Sequence, residues 1–347
     1  MAIMRVDADL TGGDNDGTTW AKAYEGAAGL QSALTAFGAG DIIWAVGDFT
    51  LTDPLSLAAV GSTTAQGYIL GHGRTVGDPA QDGTQVVIDA NTEANCLSFA
   101  TGNHYVQIEN IDFTGATGDG IRAASNGATN ITLLKCRAYS NGDNGVGGSD
   151  SGFRIYYSRY ILCEAYSNTG SGIESNLGSL AWGCSAHNNG GHGILLAAYT
   201  MAAECVAYEN TNRNLYMAAQ GSLIAGCTAD AGYYGIQGIY HTVIVCCRTT
   251  NASIDAMLGT RGGVMLYNVT DEALGTPTSN PITSEIGGVE TNIVSTVDGY
   301  EDAATDKYAL RMGAPGFRNV IAVDPNANMV RSSGLNNSLI VWPGEER

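Results

Sequence analysis

Positive charge is scarce in this chain of 347 residues: 16 Lys and Arg stand against 34 Asp and Glu, a formal charge of −18. Gripping a nucleic-acid backbone takes clustered cations, so no nucleic-acid partner is expected. An acidic surface suits solubility, cation binding or a basic partner instead. No run is long and apolar enough to span a bilayer, and no membrane partner is expected. The opening Met1-Ala2-Ile3-Met4-Arg5-Val6-Asp7-Ala8-Asp9 has neither the basic start nor the apolar centre of a secretory leader. Proline is rare as well. Five of the seven, Pro277, Pro281, Pro315, Pro325 and Pro343, fall in a C-terminal stretch that lacks the pattern described next.

Glycine is plentiful, at 47 residues, and hydrophobic residues make up 44%. That combination suits a core enclosed by many tight turns. Cysteines set the rhythm: Cys136, Cys163, Cys184, Cys205, Cys227 and Cys246 stand 27, 21, 21, 22 and 19 residues apart. The first four open one phrase, as in Cys163-Glu164-Ala165-Tyr166-Ser167-Asn168 and Cys184-Ser185-Ala186-His187-Asn188-Asn189. Self-similarity at about 20–25 residues marks a solenoid, whose units bury their apolar faces only against neighbours. Within a unit the period is two: Cys163 and Ala165 share one face of a strand, Glu164 and Tyr166 the other. A Gly-rich turn then leads to a second strand at Gly145-Val146, Gly172-Ile173 and Gly193-Ile194. The column Asn141, Asn168, Asn189 and Asn210 sits where the chain must bend. Asn tolerates left-handed geometry there, and its amide can bond the same residue of the next coil.

This pattern resembles the right-handed parallel β-helix of the pectin-lyase-like superfamily, in its short-repeat form, most strongly over residues 85–270. The resemblance implies an all-β solenoid with an N-terminal helical cap (1–45), a parallel β-helix (46–273) and an irregular C-terminal cap or extension (274–347). Leu30, Ala33, Leu34 and Phe37 are at helical spacing, and Gly40-Asp41 turns into the strand Ile42-Ile43-Trp44-Ala45-Val46. Asn319–Val323 and Ser338–Trp342 read as further strands.

In-register parallel strands hold equivalent Cβ atoms about 4.8 Å apart, whereas a disulfide wants about 3.8 Å. A reduced, inward-facing thiol ladder is therefore expected, without metal or cofactor, since zinc needs convergent tetrahedral ligands. Asp14-Asn15-Asp16-Gly17 lacks the bidentate Glu of a calcium loop and reads as an Asx-rich turn.

Polysaccharide-cleaving relatives carry signatures that appear here only as fragments. Gly71-His72-Gly73 matches a tripeptide of polygalacturonase-like hydrolases, but the companion Asn-Thr-Asp and Arg-Ile-Lys segments are missing, and a turn histidine is expected. Gly191-His192-Gly193 is the turn of the repeat itself. The outward positions after Cys read Arg137, Glu164, Ser185, Val206, Thr228 and Cys247, and those of the next strand include Arg122, Glu174 and Tyr216. Neither column places two carboxylates in adjacent coils, and Glu164 and Glu174 fall on different strands. No catalytic residue is assigned. The candidate site is instead the outward column Tyr139, Tyr166, His187 and Tyr208, a ribbon roughly 15 Å long at strand spacing. It can stiffen the sheet, form a subunit contact or bind a glycan.

Two functions remain open. One is a non-catalytic surface protein of the phage-spike, capsid-decoration or adhesin kind that binds polysaccharide, located on a virion or outside the cell. The alternative is a polysaccharide lyase or glycoside hydrolase. Resemblance to phage spikes implies a homotrimer in contact through the aromatic column and the C-terminal strands.

Overall fold

Three short strands joined by three corners make one coil. In the computed structural model of the chain, Leu180–Trp182, Ser185–His187 and Ile194–Leu196 form one such coil, and Met201–Ala203, Val206–Tyr208 and Arg213–Met217 form the next. Corresponding strands pair in parallel without a shift: Leu180 with Met201, Ser185 with Val206, Ile194 with Leu215. The result is three long parallel sheets, here called first, second and third in that order along each coil. The structure describes residues 1–252 except 59, 61–64, 73–84, 124–127, 144, 148–157, 176, 220 and 239–241, and beyond 252 only the backbone of strands.

The core follows from the alternation within each strand. The second sheet turns Ala138, Ala165, Ala186, Ala207 and Ala229 inward, and the third turns Val146, Ile173, Ile194, Leu215 and Ile236 inward. Small residues on one wall thus leave room for branched residues on another, and each fully buried Ile or Leu contributes about 1.5–3 kcal/mol.

The corner from first to second sheet is a left-handed residue followed by a buried cysteine. Leu162, Gly183, Glu204 and Gly226 have φ of 53°, 62°, 55° and 62°, and Cys163, Cys184, Cys205 and Cys227 follow them. Carbonyls turned inward at this corner accept from the thiols: Cys184 Sγ donates to the Tyr160 carbonyl at 3.3 Å, and Cys205 Sγ to that of Ala203 at 3.3 Å. All eight cysteines are free. Burial pushes the Cys96 thiol up to about 12, and burial together with neighbouring Cys163 raises Cys136 well above its ordinary value.

The last rung corrects the sequence reading. Cys246, at φ 53°, is exposed and occupies the left-handed corner, while Cys247 is the buried ladder residue. The outward residue after it is Arg248, paired with Thr228, so Cys247 belongs to the core. Two adjacent cysteines make the register ambiguous in the sequence; the corner conformation resolves it.

The corner from second to third sheet is held by the asparagine column. Asn141 Nδ2 donates to Asn168 Oδ1 at 2.9 Å, Asn168 to Asn189 at 3.0 Å, and Asn189 to Asn210 at 2.9 Å. Each amide also bonds backbone: Asn141 N–H donates to Asn168 Oδ1 at 3.1 Å, and Asn168 Nδ2 to the Ala138 carbonyl at 3.0 Å. The left-handed geometry expected of these asparagines falls on the residues before them, Ser140, Ser167, Asn188 and Glu209. Being buried and fully bonded, the asparagine serves the ladder, and its exposed neighbour makes the bend. Glycine then follows of necessity: a Cβ on Gly193 would lie 2.6 Å from Asn210 Nδ2.

At the N-terminal end, Ile3–Asp7 pairs with Ile42–Val46 at the start of the first sheet. The helix Gly26–Ala36 buries Leu30, Ala33 and Leu34, as their spacing predicts. At the other end, Tyr308–Ala314, Phe317–Asp324, Met329–Ser332 and Leu339–Val341 pair antiparallel in succession. The two C-terminal strands expected from sequence fall among them; their side chains lie outside the described residues. Among the described residues no helix is long and apolar enough to cross a membrane.

Candidate functional site

The outer face of the second sheet gathers the ring-bearing residues predicted from sequence. Register pairing places Tyr139 beside Tyr166, Tyr166 beside His187, and His187 beside Tyr208. Their ring centroids are 4.9, 5.1 and 4.6 Å apart, with interplanar angles of 8°, 3° and 6°. In-register strands give neighbouring side chains the same direction, so the rings stack face to face at the strand spacing. The column is therefore not a flat ribbon of ring faces. Its π-faces are spent on one another, and it presents ring edges: a row of phenol hydroxyls and one imidazole. Burial raises the hydroxyl pKa of Tyr139, Tyr166 and Tyr208, which keeps all three neutral, able both to donate and to accept.

A second outward column runs alongside, two residues earlier on each strand. His187 Nε2 lies 3.2 Å from Glu164 Oε1, and Asn188 Nδ2 lies 3.1 Å from His187 Nδ1. An amide nitrogen can only donate, so Nδ1 accepts and the Nε2–H is aimed at Glu164. One coil back, Arg137 Nε donates to Asp112 Oδ1 at 2.9 Å, and its Nη2 contacts Asp112 Oδ2, a two-pronged pair. Asp112 is fully buried. Burial raises its pKa and Arg137 pulls it back, while the hydrogen bond to Asp112 holds Arg137 charged. The order Asp112, Arg137, Glu164 along the column thus alternates in sign.

Asp112 and its pairing escaped the sequence reading. The signal was available: Ile111 takes the Cys position one coil before Cys136, which puts Asp112 in register with Arg137. Glu174, as expected, lies on the third sheet, away from Glu164. His72 is buried edge-on against Trp44, with ring centroids 5.2 Å apart, at the end of the strand Gly67–Gly71. The turn expected beyond it lies outside the described residues. His192 sits in the repeat corner, 4.9 Å from the Tyr216 ring. Asp16 Oδ1 accepts from Thr18 N–H and Oγ1–H, and Lys22 Nζ lies 2.9 Å from Asp14, so the N-terminal acidic run is a self-satisfied turn. Among the described residues no group of three or more His, Cys, Asp or Glu converges as metal ligands would.

No family model matches the sequence, and no curated protein is similar to it in sequence. Solved structures are similar in fold. Pectate lyase Pel9A superposes with a TM-score of 0.61 at 14% identity, over 88% of this chain and 82% of that one. A rhamnogalacturonan lyase gives 0.57 at 12% identity, over 88% and 90%. The chain folds as a parallel β-helix. In particular, it has the pectin-lyase-like form of that fold.

Proposed function

We propose that the protein is a non-catalytic, polysaccharide-binding β-helix of a virion or extracellular surface, with the edge row Tyr139–Tyr166–His187–Tyr208 as its glycan contact. The observation that carries this reading is the row itself. Four hydrogen-bonding edges repeat at 4.6–5.1 Å along a rigid axis and suit a hydroxyl-rich polymer lying parallel to it. The charged groups beside the row are already engaged with each other, Arg137 with Asp112 and Glu164 with His187, which favours holding a chain over cutting it. The two solved structures of the same fold are named as a pectate lyase and a rhamnogalacturonan lyase, so glycan recognition is at home on this fold, though fold alone does not assign it. Glycan-array binding of the wild type, reduced at least tenfold by Tyr166→Ala while the protein stays folded, is the expected result. Wild-type binding that survives Tyr166→Ala removes the row from the function.

A second reading rests on the contact between His187 and Glu164: the carboxylate orients the imidazole, and Nδ1 serves as a general base once substrate displaces the Asn188 amide that bonds it. Release of unsaturated or reducing ends from acidic and neutral glycans, lost in His187→Ala, would favour cleavage.

A further inference from the structure

The first sheet carries an outer face unlike that of the second. Its first outward column reads Leu180, Met201, Leu223 and Val243 on four successive coils. Its second reads Trp182, Ala203, Ala225 and Val245. The inward residues between them, Ala181, Ala202, Ile224 and Ile244, are fully buried, so these strands are apolar on both sides. Parallel strands that read as continuous apolar runs belong to sheets covered on both faces. Here the inner face is covered by the core, and among the described residues the outer one stays open: Trp182 is 44% exposed, and Leu162 at the adjoining corner 50%. Equivalent strands of the second sheet show Ser185, His187, Tyr208, Thr228 and Asp230 outward with Val206 as the one aliphatic residue, so apolar exteriors are not a general property of the coil.

We infer that this face binds a second copy of the same chain. Charge selects the occupant. On a molecule of −18, two copies repel wherever their carboxylates meet. Between Leu180 and Val245 no strand position of this face is charged, and the nearby Glu204, accepting from Trp182 Nε1 at 3.0 Å, stands at the corner as a rim. An uncharged face selects an uncharged counterpart, and every copy brings one.

Geometry agrees. The pairing has no register shift from Arg159 to Val245, and Val264 and Leu266 continue it, so the face is a regular strip that can meet its own image about a two-fold axis. The four uncharged rungs from Leu180 to Val245, at about 4.8 Å each and about 20 Å wide with the corners, offer on the order of 400 Å² per copy. Two such faces together cover about 800 Å², below the roughly 1,200 Å² of stable interfaces, so the pairing is a weak one that dilution undoes.

Sedimentation velocity of the full chain over a micromolar dilution series tests this. The expected result is a two-copy species that dissociates on dilution to the 36.0 kDa monomer. Met201→Glu, which points outward, should raise the dissociation constant roughly 30-fold or more, and Thr228→Glu on the second sheet should leave it unchanged. Should Met201→Glu fail to fold by circular dichroism, tryptophan emission supplies the second readout. Wild-type emission should shift to the red on dilution, and Trp182→Phe should lose that shift. A monomer at every concentration, a three-copy species, or association indifferent to a folded Met201→Glu would overturn the inference.

Discussion

Arg137 shows how much one side chain can carry on an exposed face. It neutralises Asp112, which is fully buried, and its own side chain remains 39% accessible. Removing it leaves an unpaired carboxylate in a dry place. Arg137→Met is expected to cost about 2 kcal/mol at neutral pH, less than for a fully enclosed pair because the guanidinium is partly solvated. The sign with pH follows from Asp112. Burial already raises its folded-state pKa against the opposing pull of Arg137, and the variant raises it further. The deficit is therefore complete above that raised value. It shrinks as pH falls through the variant's value and vanishes below the wild-type folded-state value, itself raised above the ordinary 3.8, where the carboxyl is protonated in both folded proteins. Urea denaturation of both proteins at several pH values measures it; a deficit constant with pH would show that lost packing, and not charge, is responsible.

At the scale of the element, the corner decides which residues a strand shows. The left-handed residue before each ladder cysteine is solvent-facing, and Cys246 holds that place. A thiol reagent should consequently modify one cysteine per native chain, Cys246, and all eight in denaturant. Peptide mapping that finds Cys247 labelled in the native protein would restore the other register. The coil was legible from the Cys-x-Ala-Tyr-x-Asn phrase because period-two alternation and a constant repeat length both constrain strands. The corner was less so. Bends are set by backbone torsion, and Leu162, Gly183 and Glu204 perform the same bend with no side chain in common. Ring geometry was likewise half legible. The phrase placed Tyr139, Tyr166, His187 and Tyr208 in one column, but whether a column shows faces or edges depends on rotamer, which composition does not encode. Asp112 was obscured because the phrase fades one coil before Cys136, where Ile111 replaces the cysteine.

For the whole molecule, the faces divide the work: all three sheets bury core residues, among them Tyr160, Phe113 and Ile194, while over residues 180–245 the first shows an apolar exterior and the second a largely polar one. Stability in such an array is close to a sum over neighbouring coils, so local damage stays local unless something runs the length of the stack. The asparagine column does so over four successive coils. Every amide in it donates in the same sense, from Asn141 to Asn168 to Asn189 to Asn210, and Asn210 passes the bond on to Asn214 at 2.8 Å. The amides form a line of head-to-tail dipoles inside a poorly polarisable interior, where each member polarises the next and the bonds strengthen one another. A break in the middle severs that line into two short pieces, while a break at its start only shortens it. Asn189→Ala should therefore lower the melting temperature more than Asn141→Ala, although both remove one buried amide of the same kind, each worth about 1–3 kcal/mol on local grounds alone.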